Sequence, residues 1–165
     1  MKHHRHQTYK PRLYLSARAK LVTYAVVGLT WCSGVLWLIF HYFFSRQGEF
    51  GAEADPFEHP LLVLHGACAF AALWLAGWLW HVHVQPWWSS PRRRGSGIVL
   101  IAFGAVLIMS GWLLYYAGDD ELRRWSSVVH WGTGLALVVP LLVHGLRAAR
   151  YRNNQPAVPG TRRKI

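Results

Sequence analysis

Four apolar stretches, at about 21–44, 61–84, 97–117 and 125–146, constrain this chain more than any other feature. Each holds about 20 residues or more, the length a helix needs to cross a hydrocarbon core of about 30 Å. A backbone in lipid must satisfy its own hydrogen bonds, so the helix is the expected spanning form. A soluble bundle would need a charged face on every helix, and none of the four runs carries one. Composition agrees, with 53% hydrophobic residues and ten tryptophans. Mean hydropathy is only +0.15 because the two ends and one connection are crowded with arginine and lysine. The expectation is an all-α integral membrane four-helix bundle.

A net charge of +11 invites a nucleic-acid reading, and its distribution argues against one. Six basic residues precede the first run (Lys2, Arg5, Lys10, Arg12, Arg18, Lys20), Arg92, Arg93 and Arg94 lie between the second and third, and six follow the fourth. The other two connections hold Arg46, Arg123 and Arg124 together with all seven acids: Glu49, Glu53, Asp55, Glu58, Asp119, Asp120 and Glu121. Fifteen basic residues on one side against three on the other predicts a multi-pass protein with both termini cytoplasmic. Basic tails at 1–20 and 151–165 then flank a membrane domain at 21–150, and they suit contact with anionic lipid headgroups. The first run is long and follows a polar segment of about 20 residues, so it reads as a retained span and not a cleavable signal. Cys32 and Cys68 fall inside runs without metal-ligand spacing and read as small hydrophobes.

The runs repeat a plan. The first contains "TWCSGVLWLIFHYF" and the third "LIMSGWLLYYAG", each with Ser-Gly before bulky residues. The second opens on "LHG" and closes on "HVHV"; the fourth opens on "VHWG" and closes on "VHGL". Two pseudo-repeated helical hairpins are expected, each a Ser-Gly helix followed by a two-histidine helix. Glycines at 97, 104, 111 and 118 form a seven-residue stripe that drifts only about 20° per step. It suits close helix packing or a flat ligand lying on that face, and packing is the commoner use.

Histidine placement carries the chemistry. His3, His4 and His6 belong to the basic tail, and His59 lies at the edge of the second run. His41, His65, His81, His83, His130 and His144 lie in or at the ends of spans, where ionisable groups are functional candidates. With the predicted topology the second and fourth spans run the same way, so His65 and His130 share one level and His81 or His83 and His144 the other. The 14-residue step from His130 to His144 returns to within about 40° on an ideal helix. The 18-residue step from His65 to His83 returns to about 0°, whereas His81 is about 160° away. The axial steps are about 27 Å and 21 Å, a mismatch that tilt or a kink at Pro140 would absorb. By phase, His83 is the better inner ligand and His81 the better fit to a supporting or interface position. A bulge in the second span would bring His81 round instead, which keeps it as the alternative.

Paired imidazoles in a bundle suit few cofactors. Zinc usually recruits carboxylate or thiolate help, and the spans contain no acid. A copper site rich in methionine and cysteine is absent, and a proton relay would be expected to include Asp or Glu. Haem b needs axial ligands, apolar walls and room for a plane, which His65, His130, His83 and His144 beside Gly66, Gly132, Gly134 and Gly145 would supply. Bis-histidine ligation favours electron transfer over oxygen chemistry. Arg123 and Arg124 at one surface, and Arg147 or Arg150 at the other, are candidates for haem propionates or plain interfacial anchors.

Over residues 21–150 these features resemble the small bacterial four-helix di-haem cytochrome b proteins, of the formate dehydrogenase and hydrogenase subunit type and most closely the flavinylation-associated cytochromes. The resemblance implies a bacterial inner-membrane protein carrying electrons between a quinone pool and a redox partner protein through two haems, with His65, His130, His83 and His144 as axial ligands. "HVHVQPWW" resembles the family's histidine followed by tryptophan, again indicating His83; the doubled histidine departs from the pattern. No Cys-x-x-Cys-His sequence for covalent haem occurs. His41 and His59 are candidates for quinone contact or simple interfacial residues. Rival readings are a non-redox anchor or assembly protein, a single-haem cytochrome and a histidine-rich metal carrier.

Overall fold

A computed structural model describes residues 15–44, 46–48, 51–88 and 95–153. The tail histidines His3, His4 and His6, the arginines at 92–94 and the basic residues beyond 153 lie outside these residues. The chain divides into two compact units, 1–94 and 95–165.

The first unit is a helical hairpin. Helix α1 spans Ala17–Phe43, starting ahead of the apolar run because the Ser16 hydroxyl accepts from the Ala19 amide at 3.1 Å. A small antiparallel pair, β1 (Arg46–Gly48) and β2 (Gly51–Glu53), occupies the acidic connection, with Arg46 opposite Glu53. Hydropathy gave no sign of it, since three-residue strands are too short for a periodic pattern. The buried Asp55 carboxylate accepts from the Phe57 amide at 2.9 Å and turns the chain into helix α2, Glu58–Leu79.

Helix α2 widens into a π turn at Trp80–Val84 before a short α3, Gln85–Trp87. Pro86 accounts for the position. It has no amide hydrogen and its ring crowds the carbonyl four residues back, so the preceding turn opens and the Gln85 amide reaches the Trp80 carbonyl. This is the bulge that leaves the choice between His81 and His83 open in sequence.

The second unit joins α4 (Gly95–Tyr116) to α5 (Asp120–Ala136) and α6 (Val138–Asn153). Asp119 caps α5, accepting from the Leu122 amide at 2.7 Å, while Asp120 and Glu121 lie in its electropositive first turn. The α5–α6 break falls at Leu137. Pro140 leaves the Ala136 carbonyl without its helical donor, so a single apolar run becomes two helices with one interrupted turn. The interruption lies between His130 and His144, near the proline where a kink was one of the two ways to absorb the unequal axial steps.

Four helical segments are long and apolar enough to cross a membrane: Ala17–Phe43, Glu58–Val84, Gly95–Tyr116 and Asp120–Arg150. Burial is inverted relative to a water-soluble core. Among the described residues the buried polar side chains are Ser33, Asp55, Ser110 and Ser126, and the buried apolar ones are Leu75 and Ala117. Phe70 and Trp74 are 78% and 80% exposed. In water such surfaces would drive aggregation, whereas against lipid tails they cost nothing and the polar groups turn inward.

Candidate histidine sites

In the first hairpin, Ser33 of α1 meets His65 of α2. The Ser33 hydroxyl donates to the Thr30 carbonyl at 2.9 Å, and His65 Nδ1 lies 3.2 Å from the same hydroxyl oxygen and 3.0 Å from the Thr30 carbonyl. A carbonyl only accepts, so Nδ1 carries the proton and the hydroxyl accepts from it as well. In the neutral ring Nε2 then holds the lone pair, the form in which imidazole binds a metal. Gly34 makes the approach possible: a Cβ there would stand 2.9 Å from His65 Cε1 and 3.1 Å from Nδ1.

The second hairpin repeats the arrangement. The Ser110 hydroxyl donates to the Val106 carbonyl at 2.7 Å and lies 3.0 Å from His130 Nδ1. With the hydroxyl hydrogen engaged, the oxygen accepts from Nδ1–H. Gly111 again leaves room, a Cβ there falling 3.3 Å from His130 Cε1. The third-span glycine stripe is thus divided: Gly111 seats the imidazole, while a Cβ on Gly97, Gly104 or Gly118 would meet nothing within 4 Å.

His144 on α6 has the same kind of partner, its Nδ1 3.1 Å from the Ser96 hydroxyl of α4. Ser96-Gly97 repeats the Ser-Gly pair fourteen residues before Ser110-Gly111, and His130 and His144 are also fourteen apart. Antiparallel helices with equal spacings bring both pairs together. That arithmetic was available in the sequence, but Ser96 went unread because it precedes the third apolar run. A cavity of about 370 Å³ adjoins this pair, lined by Ser96, Val99 and Phe103 of α4 and Val139, Val143 and Arg147 of α6, among others.

On the π turn His83 is half-buried and His81 exposed. A Cβ on Gly66, Gly132 or Gly145, each next to or near a histidine, would meet nothing within 4 Å, and Gly134 approaches Leu107 at 3.8 Å. Two buried indole nitrogens, of Trp37 and Trp131, have no hydrogen-bond partner among the described residues, and Trp131 directly follows His130.

The remaining candidates are engaged locally. Arg123 donates to the Ala117 carbonyl at 2.8 Å and approaches Asp120 at 3.9 Å. Arg124 pairs with Glu121 at 2.7 Å, and the Trp125 indole donates to the same carboxylate at 2.6 Å. His41 stacks on Trp37 with ring centroids 4.6 Å apart, and its Nδ1 lies 2.6 Å from the Glu58 carboxylate. This His41–Glu58 contact between α1 and α2 was not anticipated, since nothing in sequence marks a cross-helix pair seventeen residues apart. His59 is exposed.

No family model, curated protein or solved structure matches this chain. Chemistry must therefore be judged from the donor set. Among the described residues no three His, Cys, Asp or Glu side chains gather as a metal site. The histidines instead stand singly: Nδ1 of His65, His130 and His144 each lies beside a serine hydroxyl, and Gly34 and Gly111 leave space for the first two rings. Single, oriented imidazoles with apolar surroundings fit haem, which brings four equatorial nitrogens of its own and asks the protein for axial ligands only.

Proposed function

We propose that this chain is a multi-pass b-type cytochrome of a bacterial cytoplasmic membrane, binding two haem b groups and moving electrons across the bilayer. The residues that would hold the two groups, each offering Nε2, are His65 and His130 for one and His83 and His144 for the other. His83 is preferred because it is half-buried on the π turn where His81 is exposed; His81 is the alternative, because that turn changes the phase of both relative to His65.

The observation that carries the reading is the duplicated Ser-Gly/His arrangement. Twice, a serine anchored to its own helix accepts from Nδ1 and a neighbouring glycine makes room for the ring. A histidine that merely fills a membrane interior needs its polar atoms satisfied and has no need of a fixed tautomer. A ligand histidine needs both, because its second nitrogen sets ring orientation and basicity. Bound haem supplies reversible one-electron chemistry at its iron. The chain's own part is to hold the rings, surround them with apolar side chains and keep water away.

The charge asymmetry supports both termini in the cytoplasm, with the acidic connections outside. Arg123 and Arg124 then lie at the outer surface as candidate propionate partners. Electrons would pass between a membrane quinone or cytoplasmic donor and an extracytoplasmic redox protein, with lipid as the surrounding solvent.

Protein purified in detergent from haem-replete cells tests this. A reduced-minus-oxidised difference spectrum of b type, with two haems per chain by extraction, is the expected result. One haem per chain would replace the two-site reading with a single-site one. Colourless protein would remove the cytochrome and leave the anchor reading.

A further inference from the structure

The cytochrome reading makes the histidines ligands but leaves the serines unassigned. We infer that Ser33, Ser96 and Ser110 are positioning residues that set the reduction potential of the bound groups through Nδ1 of His65, His144 and His130. This rests on the cytochrome reading and adds a role that ligation alone does not require.

Three observations point the same way. All three serines stand on the first helix of a hairpin and meet a histidine of the second, at 3.2, 3.1 and 3.0 Å. Ser33 and Ser110 are almost fully buried, at 3% and 4% exposure, where few other described side chains are. Both spend their single hydrogen on a backbone carbonyl, and donation to that carbonyl leaves the oxygen more electron-rich toward the ring N–H. A helical serine with no further task would stop at that back-bond.

The consequence follows from charge. An Nδ1–H that donates to a good acceptor gives the ring partial imidazolate character, and the more basic Nε2 stabilises the higher charge of ferric over ferrous iron. Removing the acceptor therefore raises the midpoint potential. His65 Nδ1 has the Ser33 hydroxyl beside the Thr30 carbonyl, and His130 Nδ1 has the Ser110 hydroxyl at 3.0 Å. Ser33→Ala and Ser110→Ala are each expected to raise the potential of one haem.

The test is a redox titration of the purified full chain, wild type against Ser33→Ala, Ser96→Ala, Ser110→Ala and Ser110→Thr, followed in the visible haem bands. Ser110→Ala is expected to raise the reduced-to-oxidised ratio of one haem about tenfold at fixed ambient potential, which is about 59 mV for a one-electron couple. Ser110→Thr keeps a hydroxyl and should titrate like wild type. If Ser110→Ala fails to load haem, the loaded Ser33→Ala and Ser96→Ala variants decide: raised potentials support the inference and unchanged ones overturn it. Fully loaded alanine variants with unchanged potentials, or threonine and alanine variants that shift alike, overturn the inference while leaving the cytochrome standing. Colourless wild-type protein removes the cytochrome reading first, so the two failures are distinct.

Discussion

The hydroxyl of Ser110 lies 3.0 Å from His130 Nδ1, and Ser33 stands in the same relation to His65 at 3.2 Å. The partners are twenty residues apart in the second hairpin and thirty-two in the first. The longer acidic connection, with β1 and β2, absorbs the difference without disturbing the pair. A contact kept across two unequal loops belongs to the design of the hairpin and does not follow from loop length.

Gly34→Ala should disturb ligation more than folding. The new Cβ would fall 2.9 Å from His65 Cε1, inside any ordinary contact distance. What must give way is the tip of a side chain, so the stability cost should sit at the low end of overpacking, about 1 kcal/mol. Haem content per protein should fall clearly. Gly111→Ala, at 3.3 Å, should be milder, and Gly104→Ala, with nothing within 4 Å, should be silent unless the bound group itself lies there. Haem extraction and thermal melting of the same samples separate the two effects.

Single histidine replacements count the sites. With two bis-histidine haems, His65→Ala and His144→Ala should each retain about half the haem of the wild type, with the surviving signal differing between the two variants. His83→Ala should behave like His144→Ala, and His81→Ala should load fully. Full loading of His83→Ala with half loading of His81→Ala would exchange their roles on the π turn.

The His41–Glu58 pair should matter little to either property. Its side chains are 41% and 19% exposed, so solvent and salt weaken the attraction despite the 2.6 Å approach. Glu58→Gln is expected to cost about 1 kcal/mol or less, less still in high salt, with haem content unchanged. Melting curves at two salt concentrations check the sign and its screening.

Orientation can be read with an enzyme reporter that is active only after export. Fusions ending in the acidic connections, after Ala54 or Gly118, should be active. A fusion after Arg94 should be inactive, since the charge bias predicts a cytoplasmic side for the connection that carries those three arginines. The reverse pattern would invert both haem levels as assigned.

Much of the candidate site is legible in the sequence, and what escapes it does so for definite reasons. His65, His130 and His144 stood out because an imidazole in an apolar run is costly without a task. The Ser-Gly pairs of the first and third spans were visible as a repeat, yet nothing joined them to the histidines until distances did. Ser96 went unread because it sits at the head of α4, ahead of the residues that made the span recognisable. The π turn was foreseen only as an alternative, since a helix widened by one residue has no hydropathy signature, although Pro86 marks where it falls. Arg123 and Arg124 read in sequence as candidates for an anionic group or as plain interfacial anchors, and their local partners, the Ala117 carbonyl and the acids of the same turn, came only with the structure.

The amino-acid order alone determined the four apolar helices, their pairing into two like hairpins and the depth of each histidine along its span. These depend on residue type and spacing summed along one chain segment, and transfer to lipid is nearly additive over such a segment. Only the tertiary structure decided which serine meets which imidazole, which ring nitrogen carries the proton and which glycines give way to a ring. Those outcomes turn on tenths of an ångström between different helices, and hydrogen-bond chemistry is set by distance and direction, about which spacing along one helix says nothing.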